Sequence, residues 1–130
     1  IEALGNAIYR IPKTIEKFAD RYSLAGEKLH RIEFGPRAAM LKEAAGLVLE
    51  MVRVLPKMRL EQMKRLHDRL RNVEAEADRL MLETYREIYS GVHGGLEILL
   101  IKDFFELLEK AIDRCREAGV VCYQIVLKHS

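Results

Sequence analysis

Lys102-Asp103-Phe104-Phe105-Glu106-Leu107-Leu108-Glu109-Lys110-Ala111-Ile112-Asp113-Arg114-Cys115 is the stretch whose reading decides the fold. Phe104, Leu107, Leu108, Ala111 and Cys115 recur at three- and four-residue intervals, the spacing that gathers side chains on one side of an α-helix. Leu100 before them and Cys122, Ile125 and Val126 after them keep the phase, so one helix with a core face is expected over 96–129. On the opposite side Glu106, Glu109, Asp113 and Glu117 form a row expected to face solvent. Like charges at that spacing repel by about 0.2–0.5 kcal/mol per pair, so the row wants either neighbouring Lys and Arg or a bound cation.

Working outward, 130 residues of which 49% are hydrophobic and 32% charged can bury one core, and a single domain over 1–130 is expected. Lys and Arg (22) nearly balance Asp and Glu (20), a net +2 that speaks against nucleic-acid binding, which rests on a strongly basic face. No apolar run approaches the roughly 18 residues of a membrane span, and no basic-then-apolar leader opens the chain. A cytoplasmic protein, peripheral at most to a membrane, is the expectation. Cys115 and Cys122 lie about 10.5 Å apart along one helix, too far for a disulfide within it, and are expected to be buried thiols. The pattern is already under way at Ile1, so a further N-terminal portion is expected to precede it.

Leu4, Ile8, Ile11, Ile15, Phe18, Tyr22, Ala25 and Leu29 alternate by four and three over 2–30 and predict a long amphipathic helix, kinked or started at Pro12. Phe34-Gly35-Pro36 separates it from 37–55, where Ala38, Ala39, Leu41, Ala44, Leu47, Val48 and Met51 spread over a wide arc and predict the most buried helix. A third helix over 60–90 places Met63, Leu66, Leu70, Val73, Ala77, Leu80, Thr84 and Ile88 inward, and the glycine cluster Ser90–Gly95 ends it. Gly119, inside the last helix, costs about 1 kcal/mol against Ala unless a neighbouring helix comes close there. Four helices with short connections predict an all-α, up-and-down antiparallel four-helix bundle.

Two Glu-x-x-x-Asp pairs, Glu74 with Asp78 and Glu109 with Asp113, fall on the last two helices. Each pair shares a helix face, so adjacent helices could offer four oxygen ligands to a cation; the same spacing also suits a solvated charged surface. Glu27 and His30 supply one Glu-x-x-His, but His67, His93 and His129 have no Glu three residues earlier, so a ferritin-like di-iron site lacks its second motif. Phosphate loops, nucleophile elbows, His-Glu-x-x-His and Cys-x-x-Cys are all missing, and no general base with an activating partner stands out, which argues against an enzyme.

Val73-Glu74-Ala75-Glu76-Ala77-Asp78-Arg79-Leu80, together with residues 101–103, 107–115 and 125–128, resembles the closing helices of the PhoU-like family, in the branch that accompanies Pit-type inorganic phosphate transporters. The resemblance implies a PhoU-like helical bundle with metal, iron, zinc or nickel, on its surface, and Glu74, Asp78, Glu109 and Asp113 as the metal ligands. It implies a non-catalytic regulator of phosphate transport that docks to a membrane phosphate transporter. Tyr9-Arg10-Ile11-Pro12-Lys13 departs from the family, which usually carries aspartates there. The alternative expectation is a structural helical-bundle module for homo-oligomerisation, without metal.

Overall fold

The computed structural model describes residues 1–129; the domain expected over 1–130 thus ends one residue outside the described part. Four α-helices follow one another, α1 (Glu2–Ala25), α2 (Gly35–Val54), α3 (Leu60–Tyr89) and α4 (Gly95–Lys128), with 3₁₀ turns at Gly26–Leu29 and Leu55–Lys57. No strand occurs among the described residues. Local chemistry sets the boundaries: Gly26 ends α1 at φ 46, Pro36 sits in the first turn of α2, Met58 at φ 49 reverses the chain before α3, and Gly91 at φ 87 turns it into α4. α1 runs through Pro12 instead of starting there.

Side-chain pairings fix the directions. Phe18 on Phe104 and Arg10 on Glu117 make α1 antiparallel to α4, and Glu74 on Arg116 with His67 on Tyr123 does the same for α3. Arg37 over Phe105 and Met51 beside Gly119 run α2 parallel to α4, so the helices alternate up and down as expected. α4 is the hub: it packs on all three others, α2 also packs on α3, and α1 packs chiefly on α4.

That arrangement corrects three expectations. α4, with Ile101, Leu108, Ile112, Cys115, Ala118 and Cys122 among its buried residues, is the most buried element; α2 buries only Ala44, Leu47, Val48 and Met51 and leaves Ala38, Ala39 and Leu49 exposed. α1 turns Leu4, Ala7, Ile11 and Thr14 inward, with Ile8 packed at the edge of the core and Ile15 exposed, because the small Ala7 and Thr14 let it lie close on its one main neighbour; Thr14 Oγ1 donates to Arg10 O at 2.9 Å. On α3 Met81 is buried in place of Leu80.

Gly119 is where the hub is tightest. A Cβ there would stand 2.4 Å from Leu70 Cδ2 and 3.3 Å from Met51 Sδ, and both neighbours are fully buried. Glycine therefore lets α3 and α2 approach α4 together, which offsets its poor helix propensity. The core around it holds Cys115 and Cys122 as free thiols, and burial pushes Cys115 up to about 12, so it behaves as an apolar residue.

Candidate carboxylate site between α3 and α4

With α3 antiparallel to α4, residues 74–85 of one lie beside residues 106–116 of the other. Glu74, Asp78, Glu109 and Asp113, all four of the carboxylates taken from the sequence, come together along this seam. Asp78 stands close enough to interact directly with the carboxyls of both Glu109 and Glu74. Burial, the contact with Asp78 and the charges of Asp78 and Asp113 push Glu109 up to about 7, opposed by the Arg37 guanidinium. Burial first, and Asp78 after it, also raises Glu74 and Asp113, with Arg116 working the other way on both.

Protein cations answer part of this charge. Arg116 Nε forms an ion pair with Glu74 Oε2, and neither atom has a further hydrogen-bond partner. Arg37 reaches over from α2, donating to Leu80 O at 2.8 Å and Thr84 Oγ1 at 2.6 Å while lying over the Phe105 ring. Its guanidinium is thus held in place by α3 and α4 and acts on Glu109 only through its charge.

The α4 row is not one solvent face, which corrects the expectation for it. Glu106 accepts from the Tyr85 hydroxyl and from Lys102 Nζ at 3.1 Å. Glu117 accepts from Arg114 at 2.8 Å and lies 3.9 Å from Arg10 of α1. The ends of the row have donors, whereas Glu109 and Asp113 in its middle face other acids. Arg10 belongs to the segment where the family resemblance led one to expect aspartates, and it serves here as a counter-ion.

The donor chemistry of the seam, four carboxyl groups whose burial and mutual repulsion raise Glu74, Glu109 and Asp113, fits a cation. Among the described residues, however, no three His, Cys, Asp or Glu side chains converge as a preformed set of metal donors. A cation would have to displace the proton that Glu109 holds up to about 7 and draw Glu74 away from Arg116. Sequence reasoning missed Arg116, Arg37 and Tyr85, because each acts on a residue of another helix that no local spacing connects to it.

Comparison with protein-family models, curated proteins and solved structures finds no match. No described helix is long and apolar enough to cross a membrane.

Proposed function

We propose that the chain is a non-catalytic, PhoU-like regulatory bundle that docks in the cytoplasm to a membrane phosphate transporter, with the α3–α4 seam as its cation-responsive patch. The observation that carries this reading is the meeting of Glu74, Asp78, Glu109 and Asp113 across two helices, where Glu109 keeps its proton up to about 7. A divalent or ferric ion, with iron, zinc and nickel the candidates, would be held by these carboxylates in place of that proton. Its affinity would rise as Glu109 deprotonates, about tenfold from pH 6 to pH 8 for one displaced proton.

Calorimetric titration with Zn²⁺, Ni²⁺ and Fe²⁺ tests the patch. Saturable binding that is lost in Asp78→Asn/Glu109→Gln supports it, and heat that is identical in the native and doubly substituted chains sinks it. Cosedimentation with vesicles carrying a Pit-type transporter, with the ion present and with it chelated, tests the docking.

A second reading, a structural interaction module without metal, is favoured by Arg116 on Glu74 and by Arg37 near Glu109, which supply positive charge from the protein itself. Under it the double substitution stabilises the chain and no ion binds.

A further inference from the structure

At the far end of the same two helices the connection Ser90–Gly95 places His93 between the last turn of α3 and the first turn of α4. Its Nε2 meets Glu87 Oε2 at 2.7 Å, and its Nδ1 meets Glu97 Oε1. A carboxylate at each ring nitrogen is fully satisfied by one protonation state only, the imidazolium with an N–H at both positions. The neutral ring carries a single N–H, so one carboxylate would then face a lone pair. The two helix ends add to the effect, since the α3 C-terminus favours a cation and the α4 N-terminus favours the Glu97 anion.

His93 also lines a cavity of about 490 Å³, into which Arg31 and Glu33 project from the connection before α2 and Arg37 from α2. These are the charged groups facing the ring besides Glu87 and Glu97. Arg37 is bound to Leu80 and Thr84, and Arg31, among the described residues, forms no ion pair with Glu87 or Glu97, so neither cation replaces His93 as the partner of the two carboxylates. The backbone between the two carboxylates contains Gly91 at φ 87, Gly94 and Gly95, and so offers little resistance of its own to movement.

We propose that Glu87, His93 and Glu97 form a proton-operated latch on the α3–α4 turn: the protonated ring ties the two helix ends together, and its deprotonation frees one carboxylate and loosens the turn. Hydrogen bonds from Glu87 and then Glu97 hold the imidazole above the ordinary 6.5, so the latch stays closed to higher pH than a free histidine would allow. For a raised group the contribution is fully present below the unfolded value and is lost as pH rises through the folded one. Tyr89, Val92 and Leu96, exposed by 80%, 71% and 54%, ride on the turn and would shift with it.

The test combines NMR titration of the His93 ring with amide hydrogen exchange over residues 88–98, on the full chain. The ring is expected to titrate above 6.5, and Glu87→Gln/Glu97→Gln to bring its midpoint down. Exchange of the turn amides, corrected for intrinsic pH dependence, should accelerate as pH passes the midpoint in the native chain. In His93→Asn it should be fast throughout, with α4 protection over 104–126 unchanged. A ring midpoint at or below 6.5, or turn protection that is the same on both sides of the midpoint, overturns the latch.

Discussion

Glu106 and Glu109 stand three residues apart on α4, both half-buried and both beside α3, yet their acidities move in opposite directions. Burial works against ionisation at each. At Glu106 the donors Tyr85 and Lys102 overcome it and hold the carboxyl below its ordinary 4.5. At Glu109 the partner across the seam is Asp78, and the value climbs to about 7. Position on the helix is thus a poor guide to the chemistry of a carboxylate; what α3 presents opposite it decides.

The comparison presumes a single register between α3 and α4, and breaking that register has the largest expected effect. Gly119→Val would drive a branched side chain into Leu70 and Met51, both fully buried, so that their side chains would have to shift within the packed core. Urea denaturation should show about 3 kcal/mol of destabilisation. The midpoint of Glu109, about 15 Å away along α4, should move with it only through the shared α3–α4 register.

Next comes Arg116→Met, which sharpens the contrast by deleting a cation from the acidic side alone. Glu74, its side chain only 20% exposed, loses its ion-pair partner. A loss of about 1–2 kcal/mol at pH 7 is expected from equilibrium denaturation, limited because Glu74 can take up a proton instead of remaining charged. An unchanged stability would mean that solvent already screens the pair.

Glu109→Gln should act in the opposite sense. Glu109 has a folded value above its unfolded 4.5, so its contribution is intact below 4.5 and is lost as pH rises to about 7. At pH 8 the amide removes a repelling charge and can donate to Asp78, a gain of about 1 kcal/mol once solvent screening is allowed for. At pH 4 the two chains should be nearly equal. A gain of the same size at both pH values would show that the carboxyl is not the titrating group.

Much of this architecture was legible in the sequence, and the failures share a cause. Periodicity gave four helices in alternating directions, with α4 placed to within a residue at each end, and the paired spacings brought the four acids to one seam. It could not tell which neighbour covers a face. The wide apolar arc of α2 was built largely of alanines such as Ala38 and Ala39, which lose little by remaining exposed, whereas the arc of α4 carried Ile101, Leu107 and Ile112 and needed cover on three sides. Arg116 forms its ion pair with Glu74, 42 positions earlier, a pairing that no spacing within α4 reveals. His93 lay inside a glycine-rich turn, where spacing says nothing about side-chain direction.

Tyr85→Phe carries the smallest expected effect and asks the most of the comparison. It removes one donor from Glu106 and leaves Lys102 in place, so the loss near pH 7 should be about 0.5 kcal/mol, the low end for a partly exposed hydrogen bond. The sign of its pH dependence is more telling than its size. Glu106 has a lowered folded value, so its contribution is fully present above the unfolded 4.5 and is lost as pH falls from there through the folded value. The effect of Tyr85→Phe should therefore fade only below 4.5, whereas that of Glu109→Gln, opposite in sign, already fades as pH falls from about 7 to 4.5 and the carboxyl takes up its proton. Carbon-13 titration of the side-chain carboxyls separates the two: Tyr85→Phe should move the Glu106 midpoint up toward 4.5 and leave Glu109 near 7. If both midpoints moved together, the seam would titrate as one coupled array, and the distinction between its donor-rich end and its acid-rich middle would fail.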